Sequence, residues 1–225
     1  MPRPTGALIV LEGAEGVGKS TQLAVLGDRL REAGERVVTV REPGSTPLGD
    51  GIRGLLLDPD LRIAARAEAL LFMASRAQLV DDVIRPAIAE GAVVLADRFF
   101  LSTYAYQTFG RGLDDEQVRA LNGFATGGMV PDLTILLDLP DGEGLARAAA
   151  RGPADRIERS GDDFHGRVAA AFREFALPSW QQKHPECGPI ARVDASGSRD
   201  DVAARIWREV AAFRYETFPA ARGSQ

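Results

Sequence analysis

Five short apolar runs punctuate the chain: residues 7–11 (ALIVL), 36–40 (RVVTV), 92–97 (AVVLAD), 132–139 (DLTILLDL) and a weaker run at 189–194 (PIARVD). They are continuous rather than alternating, which is the pattern of strands buried on both faces of a parallel sheet. Between them the apolar positions fall at helical spacing. Leu23, Leu26 and Leu30 mark a helix over 19–33 that Gly34 stops, and 62–90 carries Leu70, Leu71, Met73, Leu79 and Val80, with a kink expected at Pro86. Further helices are expected over 115–124, 142–150, 164–180 and 199–213. Strands separated by helices imply parallel crossovers, so the pattern predicts an α/β fold: a doubly wound, five-stranded parallel sheet with helices on both faces.

No internal repeat and no Pro/Gly/Ser-rich linker divides the chain, so residues 1–225 read as a single domain with a frayed tail over 219–225. A hydrophobic share of 45% with 26% charged residues is ordinary for a globular protein. The net charge of −5 argues against a general nucleic-acid binder, which would carry a basic surplus. Any polyanion must therefore be met locally. Cys187 stands alone, no cationic and then apolar leader opens the chain, and no apolar stretch approaches the roughly 18 residues of a membrane span. A cytoplasmic protein without nucleic-acid or membrane partners is expected.

The first strand runs into LEGAEGVGKSTQ, residues 11–22, which holds Lys19, one of only two lysines in the chain. Residues 13–20 fit G-x-x-x-x-G-K-[ST] at every fixed position, after a strand and before a helix, as a phosphate-binding loop requires. Gly13, Gly16 and Gly18 let backbone N–H groups converge on anionic oxygens, the helix dipole adds to them, and Lys19 brings a point charge to the β- and γ-phosphates. Ser20 offers a hydroxyl to Mg²⁺. The donor-binding candidates are thus Gly13, Ala14, Glu15, Gly16, Val17, Gly18, Lys19, Ser20 and Thr21, with a nucleoside triphosphate as ligand. Glu15 is out of place in an anion site; it is either a solvated loop carboxylate or the servant of a second ligand.

Asp97 and Arg98 end the third apolar run, where parallel sheets place their ligands. Asp97 can face Mg²⁺ or Ser20, and Arg98 can take a second phosphate bidentately, although an ordinary strand-end ion pair is also open. REPGSTPLGD, residues 41–50, leaves the second strand through a Pro-Gly turn. Phe72 and Arg76, four apart on one helical face, suit stacking on a base and hydrogen-bonding beside it; core packing is the alternative for Phe72, and likewise for Tyr104, Tyr106 and Gln107.

LEGAEGVGKSTQ, REPGSTPLG, LLFMASRAQL, ADRFFLSTYAYQ, GRGLD, PDLTILLDL and ARGPADRIE stand in the order and at the spacings of bacterial thymidylate kinases. The resemblance runs from about residue 8 to 158. It implies a P-loop NTPase fold with a short lid at 145–158, Mg²⁺-dependent transfer of the γ-phosphate of ATP to dTMP giving dTDP, and a homodimer. By the same resemblance Arg41 and Arg98 bind around the dTMP phosphate, Phe72 stacks on thymine, Arg76 reaches its carbonyl edge, and Thr103, Tyr106 and Gln107 contact base and sugar. Glu15 matches an acid near the sugar 3′-hydroxyl and the metal's waters. Relatives without an arginine in the phosphate loop supply one from the lid. Val17 stands at that loop position, so Arg147, Arg151 and Arg156 are the candidates; Arg147 and Arg151 face the donor, and Arg151 is the expected catalytic arginine.

Phosphoryl transfer asks for alignment of two anions and for charge neutralisation, and needs no side-chain nucleophile. A nucleotide-dependent switch lacks support, since the chain has no N-K-x-D guanine-reading segment and the third run ends in D-R-F-F where a switch would carry D-x-x-G. The nearer rival is a kinase acting on another small acceptor.

Overall fold

The computed structural model of the protein describes residues 6–140, 143–144 and 155–217. All five runs become strands, each within a residue or two of the expected bounds: β1 (Ala7–Glu12), β2 (Val37–Arg41), β3 (Val93–Asp97), β4 (Leu133–Asp138) and β5 (Ile190–Asp194). They form one parallel sheet in the order β2-β3-β1-β4-β5.

Period-two geometry splits each strand between two cores. Leu8 and Val10 of β1 join Val94, Ala96 and Leu136 on one face, while Ile9 and Leu11 join Val93, Leu95, Ile135 and Leu137 on the other. All these side chains are buried. Each valine, leucine and isoleucine among them contributes roughly 1.5–3 kcal/mol by leaving water, which is why both faces read as apolar. Helix α1 (Lys19–Glu32) covers the second face through Leu23, Leu26 and Leu30, beside the last helix, which supplies Val202, Ile206 and Val210.

A helix that was not expected follows the Pro-Gly turn: α2 (Pro47–Leu57), with Pro47 in the first turn and Thr46 accepting from Gly49 N at 2.9 Å. Two expected helices are divided. The helix expected over 62–90 is α3 (Ala65–Leu79), a π-helical stretch (Val80–Ile84) and α4 (Arg85–Ala89). Pro86 has no N–H to offer, and the widened turn just before it lets Arg85 N bond Val80 O. The helix expected over 164–180 is two, because Pro178 opens a second one.

After β3 come a short α5 (Phe100–Thr103) and a second π-helical stretch (Tyr104–Gly110), neither of which was expected as a helix, then α6 (Asp115–Thr126). Following β4 are α7 (Asp162–Phe175), α8 (Pro178–Lys183), β5 and α9 (Arg199–Thr217). All but residues 143–144 of the helix expected over 142–150, most of the 145–158 lid and the 219–225 tail lie outside the described residues.

Candidate active site

The sheet register sets three carboxyl ends level: Leu11 and Arg41 both sit opposite Asp97. A cleft of about 670 Å³ opens over them, walled by the phosphate loop, α2, α3, the second π-helical stretch and the turn into α9.

Residues 15–22 line the donor half, together with Ala195, Gly197 and Ser198 from the turn after β5 and Arg199 and Val202 from the start of α9. Lys19 is folded back on its own loop, Nζ donating to Gly13 O at 2.9 Å and Ala14 O at 2.7 Å. Burial lowers its pKa to about 7, helped by the nearby Arg98 charge and opposed by Asp97, Glu12 and Glu15. Ser20 Oγ donates to Asp97 Oδ2 at 2.7 Å, so the loop motif and the strand-end acid share one point. This hydroxyl and carboxylate are hard oxygen donors of the kind Mg²⁺ takes beside phosphates and water, and the pair fits that ion. The loop also has a roof. A Cβ on Gly16, whose φ is +74°, would lie 1.8 Å from Gly144 O, and a Cβ on Gly144 would lie 2.4 Å from Glu15 O.

Arg98 occupies the hinge between the halves with a positive φ of 74°, a conformation that costs a non-glycine residue about 1–3 kcal/mol. Its Nη1 donates to Ser102 Oγ at 2.8 Å and Gly13 O at 3.3 Å, and its Nη2 to Tyr106 Oη at 3.4 Å. Burial disfavours its charge, but Tyr106, Asp97, Glu12 and Glu15 outweigh that and raise its pKa. Tyr106 Oη in turn donates to Glu15 Oε1 at 3.1 Å. Glu15 is therefore not a solvated carboxylate: it closes a chain that joins the phosphate loop to the other half of the cleft.

That half brings together Arg41, Phe72, Arg76, Thr103, Tyr106 and Gln107. Arg41 lies at the rim and pairs with exposed Asp50 at 3.1 Å. Arg76 is fully buried. Its Nε and Nη2 fork onto Glu42 at 2.6 and 2.8 Å, Nη2 also reaches Phe99 O at 2.8 Å, and Nη1 donates to Asn122 Oδ1. One Nη1 proton keeps no partner among the described residues, and Arg76 is among the residues that line the cleft.

Two functional residues escaped the sequence reading. Arg53 of α2 lines the cleft, donating to Pro43 O at 3.2 Å; burial and the Arg41 charge lower its pKa. Recognising α2 from Thr46 and Pro47 would have aimed it inward. Glu12, at the end of β1, accepts from Phe99 N at 2.7 Å and from Ser102 N and Oγ at 3.0 and 2.6 Å, so it holds the hydroxyl that holds Arg98. An acid closing an apolar strand was the signal. Arg147 and Arg151 lie outside the described residues. Arg156 does not face the donor half: its Nη2 pairs with Glu68 at 2.7 Å and its Nε donates to Leu56 O at 2.8 Å.

The thymidylate kinase family model matches residues 11–186, and with that span the assignment is decided. This chain belongs to the thymidylate kinase family. It is 50% identical over 202 residues to thymidylate kinase from Synechococcus sp. (strain JA-2-3B'a(2-13)), covering 90% of this chain and 93% of the relative. Against the Deinococcus radiodurans thymidylate kinase it is 47% identical over 205 residues, covering 91% and 96%. The solved structure of thymidylate kinase from Ehrlichia chaffeensis superimposes with a TM-score of 0.72 at 26% identity, over 92% of this chain and all of that one. This family member is accordingly a kinase of the P-loop α/β class.

Proposed function

We propose that the protein transfers the γ-phosphate of ATP to dTMP, giving dTDP, as a single-domain cytoplasmic enzyme. The observation that carries the reading is one cleft with two anion-handling ends, the phosphate loop at one and Arg98 with Arg41 and Arg53 at the other, joined through Glu15 and Tyr106. The names of its relatives supply the nucleoside.

In this reading the triphosphate lies along the N–H groups of the 13–21 loop, and Lys19 leaves its two carbonyls to meet the β- and γ-oxygens. Ser20 and Asp97 hold Mg²⁺, whose chemistry is to neutralise the charge shared by those oxygens. Arg98, held by Ser102 and Tyr106, grips the acceptor phosphate so that it meets the γ-phosphoryl in line. Phe72 stacks on thymine. The remaining Nη1 proton of Arg76 donates to a base carbonyl, where the amino group of cytosine would present a second donor and be rejected. Glu15 faces the sugar hydroxyl. Arg151 is the residue that brings positive charge to the transferred group, and Arg147 serves the donor.

The protein works as a homodimer. Leu70 of α3 and Phe124 of α6 are 56% and 89% exposed, on helices that pack side by side. Ala67, Ala74, Ala120 and Gly123 are exposed beside them, small enough for a second copy to come close.

A coupled ADP-release assay with ATP, Mg²⁺ and each pyrimidine monophosphate, run beside a Lys19→Ala control, tests this. Turnover with dTMP well above dCMP and dUMP, lost in the control, is expected. ADP release that ignores every monophosphate would overturn it.

A further inference from the structure

The best-connected buried acid among the described residues lies behind the cleft and takes no part in the chemistry above. Glu68 opens the face of α3 that carries Phe72 and Arg76 one and two turns later. It is 1% exposed, and its two oxygens gather three side chains from two other parts of the chain. Oε1 accepts from Gln107 Nε2 and Arg111 Nε, each at 3.0 Å, while Oε2 accepts from Arg111 Nη2 at 3.1 Å and pairs with Arg156 Nη2 at 2.7 Å.

Each arm is fastened again at its far end. Arg111 reaches Ser160 Oγ at 3.1 Å and lies 4.3 Å above the Phe164 ring. Arg156 is tied to the end of α2 by its Nε to Leu56 O, and by its backbone N to Leu57 O at 3.2 Å. Its neighbours Asp155, Ile157 and Glu158 line the cleft, and Asp155 Oδ1 caps the turn by accepting from Ile157 N and Glu158 N at 2.8 and 2.9 Å. Burial alone would raise the Glu68 pKa, but the two guanidiniums outweigh it and hold the carboxyl below its usual range.

We infer that Glu68 is a positioning residue that couples the acceptor pocket to the 155–160 segment. A group contacting Gln107 presses on the same carboxylate that anchors Arg156, so occupancy of the pocket is carried to the far wall through one hydrogen bond and one ion pair. Arg111 braces the connection by spanning both sides.

This inference rests on dTMP as the acceptor, and hydrogen exchange separates the two. In the unaltered protein, dTMP slows amide exchange at 104–111 and also at 155–160, where the coupling delivers it. In Glu68→Gln, which keeps the shape and loses the charge, the protection at 104–111 remains and that at 155–160 falls at least fivefold, while KM for dTMP rises more than KM for ATP. A merely structural role would loosen both segments with or without dTMP and move both KM values together; that result overturns the proposal, as does unchanged protection at 155–160. If Glu68→Gln does not fold, Arg156→Ala carries the same readout, since it removes the ion pair with Glu68 and leaves the acceptor pocket intact. Absence of dTMP protection at both segments in the unaltered protein sinks the acceptor reading, and the coupling with it.

Discussion

Ser20 Oγ donates a 2.7 Å hydrogen bond to Asp97 Oδ2, joining two strand-end motifs 77 residues apart in the chain. The bond exists because β1 and β3 are neighbours in the sheet with Leu11 opposite Asp97, so the loop that leaves β1 starts beside the end of β3. An oxygen pair fixed in this way by two strands is ready for a divalent cation without rearranging the loop.

Replacing Asp97 by Asn keeps the shape and removes the charge. The expected outcome is a fall in kcat of about 10²–10³ with little change in KM for dTMP. Steady-state rates over a Mg²⁺ titration check this, and chelation of the metal should stop the unaltered enzyme.

Lys19 gives a pH signature. With its pKa lowered to about 7 by burial, the free protein has largely lost that proton at pH 8, whereas a bound triphosphate favours the ammonium. ATP binding should therefore take up a proton, and affinity should weaken as pH rises above 7, approaching about tenfold per pH unit. Calorimetry in buffers of different ionisation enthalpy measures the uptake, and Lys19→Met should abolish it. The same lysine makes the ligand-free protein gain stability between about 7 and 10.5, because there the unfolded chain holds a proton that the folded one has released.

Arg76→Ala leaves Glu42 buried without its partner. Burial already raises the Glu42 pKa against the pull of Arg76, so the loss should cost about 3–5 kcal/mol, read as a lower urea midpoint. Surviving folded protein should discriminate poorly between dTMP and dCMP.

Tyr106→Phe removes the hydroxyl between Arg98 and Glu15 while leaving the ring. KM for dTMP should rise about fivefold, equivalent to roughly 1 kcal/mol, with the fold intact. Unchanged acceptor kinetics would show that the link between the halves is idle.

Phe124→Lys places a charge on the exposed apolar face. Sedimentation should report a monomer where the unaltered protein is a dimer, and an unaltered protein that sediments as a monomer would remove the dimer reading.

The sheet and the phosphate loop were legible because each carries a strong local signal: strands buried on both faces read as unbroken apolar runs, and residues 13–20 match a spaced motif. Helix α2 was hidden by Gly49, Gly51 and Gly54, which lower helix propensity, although Thr46 and Pro47 announced its start. Arg53 was lost with it. The 100–110 region offers no 3.6-residue period because it is apolar nearly all round: Phe100, Leu101, Tyr104, Ala105 and Tyr106 are all buried. The roles of Glu12 and Glu68 depend on which distant donors reach them, and no spacing records that.

The close approach of Gly16 and Gly144 leaves no room for a side chain on either, so the phosphate loop and the segment after β4 are fitted to each other as backbone against backbone. Two stretches so matched behave as one unit of inheritance. A chimera that takes its phosphate loop from one relative and its post-β4 segment from another must keep a glycine on both sides of that seam, and deep mutational scanning should find the two positions among the least permissive in the enzyme.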